Sequence, residues 1–264
     1  MAELDPHRVV DYFASSDTVA QWWSPDSGPM SFHYDGEVRI LEDCLSVDPS
    51  WRVLDVGTGR GRFGLHLANR GCQVIGLDVN PEMIEAARET ARVQGMESRF
   101  EARLGEAEDL SAFAAEEFDV VLCMELFDHL PNLTRALAEM RRTLKPGGRL
   151  VFTYVPSESL YGSLGNIYRW LNARLRPKEV IISRTYSLSE IRRRLNETGL
   201  ELERYWGLGL LCVNAQTRLF VESKLTRAFA ALARAEARRW PYYQRPFLAR
   251  HGAHVVGLAR PVTR

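Results

Sequence analysis

Apolar positions along the chain fall into two rhythms that alternate with each other. Val53-Leu54-Asp55-Val56, Gln73–Leu77, Phe118–Cys123 and Arg149–Tyr154 are short, largely apolar runs without a consistently polar face. Runs of that kind predict strands covered on both sides. Between them lie amphipathic stretches with helical spacing, around Phe63–Asn69, from Asn80 to about Gln94, and over Leu133–Thr143. Gly71 stops the first of these. Asn80-Pro81 supplies a helix cap and a first helical residue for the second, and Gly95 follows its end. Lys145-Pro146-Gly147-Gly148 reads as a turn before the strand that begins at Arg149. Strand and helix alternating in this way predict a mainly parallel α/β sheet with helices on both faces.

The flanks are less regular. Residues 1–50 predict a mostly helical cap segment rich in aromatics (Tyr12, Phe13, Trp22, Trp23, Phe32, Tyr34), broken by turn chemistry over Ser24–Pro29 and resuming from Val38 to near Asp48-Pro49. Residues 51–264 form the main domain. After Pro156 the pattern loosens, and Ser157–Leu175 is partly helical. Ser187-Leu188-Ser189-Glu190 is a capping box that opens a helix over Leu188–Glu197, with Gly199 beyond its end. Leu200–Tyr205 and His254–Ala259 are two late strands, and the long stretch between them carries a helix near Glu222–Arg239. Insertions at about 156–185 and 207–252 read as lids, because long connections inside a domain are usually functional.

Composition narrows the function classes. With 264 residues, 45% hydrophobic and 26% charged, the chain can bury the core of a globular domain. Lys+Arg and Asp+Glu are equal at 34 each, so no basic bias toward nucleic acid exists. The four cysteines (Cys44, Cys72, Cys123, Cys212) form no paired motif and read as reduced thiols of a cytoplasmic protein. Met1–Arg8 lacks an apolar signal core, and no apolar run is long enough to span a membrane. On the late helix Leu225, Phe229 and Leu232 make an apolar stripe flanked by Lys224, Arg227, Arg234, Arg238 and Arg239. Such a face can pack on its own domain, touch a membrane surface peripherally, or join two copies, so monomer and homodimer both stay open.

The chemistry-bearing motif is Asp55-Val56-Gly57-Thr58-Gly59-Arg60-Gly61, placed at the end of the first strand and opening a helix. Glycines there let the backbone turn sharply and approach a ligand closely. Asp78 ends the second strand, where a carboxylate can accept both hydroxyls of a ribose. The G-x-G-x-G spacing differs from the G-x-G-x-x-G of dinucleotide dehydrogenases.

Together with Gly76-Leu77-Asp78, this loop resembles the first two motifs of class I S-adenosylmethionine-dependent methyltransferases. Gly105-Glu106-Ala107-Glu108-Asp109-Leu110 resembles that family's adenine-flanking loop, with Glu106 where Asp is usual. Phe118–Met124 resembles its fourth strand, and Leu144–Gly148 its turn before strand five. The resemblance implies a Rossmann-like twisted seven-stranded sheet, with the N-terminal helical segment and the late helical lid added to it. It also implies S-adenosyl-L-methionine as donor, held by Asp55, Gly57, Thr58, Gly59, Gly61, Asp78, Val79, Met83, Glu106, Ala107 and Met124.

Two further stretches are similar to ubiquinone-biosynthesis O-methyltransferases: Gln21–Asp26 with Gly28-Pro29, Phe32-His33 and Arg39, and Cys123–Pro131. That likeness implies Arg39 as a ligand of the donor's carboxylate and Glu125, Asp128 and His129 as a divalent-metal site. The chain has Asp128 where that family carries Glu and lacks the Asn-Pro before Arg39. The likeness therefore sits at the level of a broader group that also serves lipid, sugar and natural-product pathways. Transfer to a hydroxyl needs a base, for which His129 is the first candidate and His33 the second. A metal-bound His129 would not also be the base, and Glu-x-x-Asp-His can equally cap the helix that follows. Trp22, Trp23 and Tyr154 are candidates to line the acceptor pocket. The expected activity is O-methylation of a small hydroxylated acceptor. C- or N-methylation, or donor binding by a non-catalytic regulator, are the alternatives.

Overall fold

A computed structural model of the chain describes residues 6–13, 31–175, 183–210, 231–232, 235–236, 238–240 and 242–262. Helices α1 (Pro6–Phe13) and α2 (Ser31–Cys44) precede β1 (Arg52–Val56), α3 (Arg62–Asn69), β2 (Gln73–Asp78), α4 (Pro81–Val93), β3 (Phe100–Leu104) and β4 (Phe118–Cys123). A short 3₁₀ turn, Phe127–His129, leads to α5 (Leu133–Thr143), β5 (Leu144–Tyr154), α6 (Leu160–Leu175), α7 (Leu188–Glu197), β6 (Leu200–Leu208), α8 (Pro246–Ala249) and β7 (His254–Pro261). The strands form one seven-stranded sheet of order β3-β2-β1-β4-β5-β7-β6. The pairs from β3 to β5 are parallel, and β7 is antiparallel to both β5 and β6.

Both sheet faces are covered, which is why the central strands read as largely apolar runs. In β4, Phe118, Val121 and Cys123 belong to a core shared with Leu137 and Met140 of α5 and Ile191 and Leu195 of α7. Val120 and Leu122 point the other way, into a core shared with Ile40 and Leu41 of α2, Phe63 and Leu67 of α3, and Ile84 and Ala87 of α4. Helix termini follow their sequence signals. Asn80 accepts hydrogen bonds from the amides of Glu82 and Met83, and Ser187 accepts one from Glu190.

Two local differences from the sequence reading have physical causes. Strand β3 carries no apolar run because it is the edge strand. Phe100 and Ala102 are buried, whereas Glu101 and Arg103 pair with each other at 2.7 Å on the outer side. Lys145–Gly148 is an irregularity inside β5 and not a turn before it. Phe118 pairs with Leu144 and Val120 already with Arg149, and Gly147 absorbs the extra chain at φ 78°. Most of the expected lid helix over Glu222–Arg239 lies outside the described residues, although Leu232 is exposed. Among the described residues, no helix is long and apolar enough to cross a membrane.

Candidate functional site

The carboxyl ends of β1, β2 and β4 open onto one cleft, the place where ligands gather in open α/β sheets. Its walls include Val56, Gly57, Gly59, Asp78, Val79, Met83, Glu106, Ala107, Met124, Glu125 and His129, and α1 closes one side with Val9 and Phe13. Segments far apart in sequence thus meet on one surface, and most of the residues expected to hold the donor are among them.

The glycine loop is held from both sides. The amides of Gly57 and Thr58 donate to the Leu77 carbonyl at 2.8 and 2.9 Å. The Gly59 amide donates to Asp78 Oδ2 at 2.9 Å, while Asp78 Oδ1 accepts from the Asn80 amide at 2.9 Å. Burial pushes the Asp78 carboxyl up, against the pull of these hydrogen bonds. Gly59 has φ 53°, and a Cβ there would project into open space, so the backbone itself faces the cleft. These features fit a ribosyl group beside Asp78 and a flat group between Met83 and Glu106. Asn80 adds a contact that sequence reading assigned only to capping: its Nδ2 donates to the Phe13 carbonyl at 2.6 Å and fastens α1 over the cleft.

Asp55, Thr58 and Gly61 sit beneath the loop and not on the cleft. Asp55 is buried, and its Oδ2 accepts from the Thr58 hydroxyl at 2.7 Å and the Gly64 amide at 3.0 Å. Its carboxyl therefore shapes the loop from inside, and burial pushes it up to about 6. Gly61 caps α3 in the left-handed region, facing Leu65 and Phe100.

Other expected residues are placed elsewhere. Arg39 is exposed on α2, whose inward side chain at this level is Glu37. Tyr154 is buried in the core that also holds Phe152 and Tyr186, its ring stacked against Phe152. Trp22 and Trp23 lie outside the described residues, and His33 is described only in its α2 backbone. His129 does face the cleft, with its ring set edgewise against Phe13 at 4.8 Å and 65°.

The trio Glu125, Asp128 and His129 does not fit a shared metal ion. Both carboxylate oxygens of Asp128 accept from the Val155 amide, at 3.0 and 3.1 Å, and its carbonyl accepts from the Arg184 amide. This pins the 3₁₀ turn to the end of β5. Glu125 has φ 58°, rare for a side-chain-bearing residue, and its Oε1 pairs with His254 Nδ1 at 2.8 Å. Among the described residues, the three metal-capable side chains whose ligand atoms lie within 4.8 Å of one another are Glu37, Glu125 and His254. Burial, and then the neighbouring Glu125, hold the Glu37 carboxyl well above the usual range. For Glu125 the upward push of burial is outweighed by His254, which keeps it below the usual range. Glu37 and His254 carried no motif in the sequence, since only the sheet order around β5 and the packing of α2 bring them to Glu125.

The comparisons agree with this geometry. A methyltransferase domain profile matches residues 54–152. A ubiquinone biosynthesis O-methyltransferase of Xanthomonas axonopodis pv. citri (strain 306) is 31% identical over 201 residues, covering 75% of this chain and 82% of that protein. One from Burkholderia pseudomallei (strain 1710b) is 30% identical over 210 residues, covering 79% and 88%. Among solved structures, a SAM-dependent methyltransferase from Thermotoga maritima, a possible histamine N-methyltransferase, superposes with a TM-score of 0.61 at 22% identity. It covers 96% of this chain and 98% of that one. With the glycine loop, Asp78 and the β4 exit converging on one cleft, the chain belongs to the class I S-adenosylmethionine-dependent methyltransferases and is similar to the ubiquinone-biosynthesis O-methyltransferases.

Proposed function

We propose that the chain methylates a hydroxyl oxygen of a small acceptor, with His129 as the base. The observation that carries this reading is His129 on the same cleft wall as Met124 and the glycine loop, its ring braced by Phe13. When bound, the donor supplies an electrophilic methyl group on a sulfonium. The acceptor oxygen forms the new bond to that carbon, the carbon–sulfur bond breaks with its electrons going to sulfur, and the hydroxyl proton passes to a ring nitrogen of His129. Asp78 would accept hydrogen bonds from the ribose hydroxyls, Glu106 and Ala107 would flank the adenine, and Val79, Met83 and Met124 would pack against the donor. Positioning supplies much of the acceleration, since the methyl carbon is already activated. The carboxylates around the cleft favour a cationic donor over its neutral product. The likeness to ubiquinone biosynthesis O-methyltransferases supports an oxygen acceptor.

The test is a screen of phenols, catechols, sugars and hydroxylated lipids, with mass spectrometry locating the added methyl. Methylated oxygen is expected. His129→Ala should lower kcat by about a hundredfold or more while donor affinity stays within about twofold. Methyl found on nitrogen or carbon, or a His129→Ala enzyme that keeps most of its turnover, would reject the assignment. Donor binding without transfer to any acceptor would favour a regulator.

A further inference from the structure

We propose that Glu37, Glu125 and His254 form a divalent-cation site immediately behind the cleft wall. The three residues come from α2, the exit of β4 and the start of β7, yet their ligand atoms lie within 4.8 Å of one another. His254 Nδ1 is 2.8 Å from Glu125 Oε1 and 4.0 Å from Glu37 Oε1. Around an ion with bonds of roughly 2.1 Å, ligand atoms sit roughly 3 to 3.5 Å apart, so shifts of less than about 1 Å would bring all three onto one ion, with water taking the remaining positions.

Two independent features point to a cation. Glu37 is fully buried, and no N–H or hydroxyl group among the described residues donates to either of its carboxylate oxygens, whose close acidic neighbour is Glu125. A buried carboxylate without such donors is costly unless a cation faces it. Arg62 approaches Glu37 Oε2 at 3.6 Å, one guanidinium beside two carboxylates. The second feature is the left-handed backbone of Glu125, held by its amide's hydrogen bond to Thr153 Oγ1, which goes with a carboxylate directed at His254. Local strain of this kind persists where surrounding structure fixes it for a purpose. Two carboxylate oxygens and one imidazole nitrogen suit Mn²⁺, Co²⁺ or Zn²⁺ better than Mg²⁺, which prefers oxygen ligands and retained water. This set shares only Glu125 with the trio that the family resemblance implies. The ion would bridge α2 to the exit of β4 and the start of β7.

The competing arrangement keeps the cluster ion-free, with a proton between Glu37 and Glu125 and charge on His254 and Arg62. Mn²⁺ titrated into chelator-stripped full-length protein, with free ion followed by electron paramagnetic resonance, separates the two. One saturable site per chain is expected, together with a rise in Tm on Mn²⁺ addition. Glu37→Gln and His254→Gln should each weaken that site by about tenfold or more, and His129→Ala should leave it within about twofold. Calorimetry of S-adenosylmethionine on each variant shows that it remains folded. No saturable binding up to about 1 mM would overturn the proposal. So would a site that survives Glu37→Gln and disappears in His129→Ala or Asp128→Asn.

Discussion

Asp78 Oδ2 accepts a hydrogen bond from the Gly59 amide at 2.9 Å, so the carboxylate at the end of β2 also holds the glycine loop after β1. One side chain thus links the two elements that frame the cleft. Its other oxygen, on the Asn80 amide, ties the same carboxylate to the start of α4.

Asp78→Ala should lose both the ribose ligand and the brace on the loop. Calorimetry should find affinity for S-adenosylmethionine and S-adenosylhomocysteine reduced by more than tenfold, since hydrogen bonds to charged groups contribute about 1.5–3 kcal/mol. An affinity within about twofold of wild type would remove Asp78 from the donor site.

Asn80→Ala removes a helix cap and the Nδ2 bond that fastens Phe13 over the cleft. The expected loss is about 1 kcal/mol for the cap and about 1 kcal/mol for the second bond, giving a Tm lower by several degrees. Donor binding should weaken together with it. An unchanged donor affinity in the destabilised variant would show that α1 does not close the cleft.

Asp55 gives a pH signature. Its carboxyl is raised from 3.8 to about 6 by burial, so between those two values the folded chain holds a proton there that the unfolded chain has released. The stability from this group is complete below about pH 4 and is lost as pH rises through about 6, on the order of 3 kcal/mol in all. Asp55→Asn keeps the acceptor for Thr58 and Gly64 but cannot ionise. Denaturant unfolding at intervals from pH 4 to 7 should therefore show a shallower decline in the variant than in wild type. Parallel curves would mean that Asp55 titrates normally.

Gly257 lies under the Phe152 ring, where an added Cβ would collide, and Phe152 in turn stacks on Phe127 at 4.4 Å. Gly257→Ala should cost about 1–3 kcal/mol through overpacking. Thermal unfolding measures the loss, and a Tm within about one degree of wild type would show that the ring yields freely.

Much of the fold is legible in the chain itself. Alternating apolar runs and amphipathic stretches, Asn80-Pro81, the Ser187 capping box and the glycine loop depend on neighbours in sequence, and local backbone preference decides them. The donor motif is legible for the same reason: its glycines and Asp78 close a turn within one β-α-β unit. Strand β3 is less visible, because an edge strand needs only one buried face and alternates Phe100 and Ala102 with charges. Tertiary packing alone placed Asp55 beneath the loop, turned Arg39 outward and buried Tyr154. It also sent Asp128 to the Val155 amide and brought Glu37 and His254 to Glu125. Each of these depends on which face of an element a neighbouring strand or helix covers, and burial and hydrogen-bond satisfaction across distant segments set that choice.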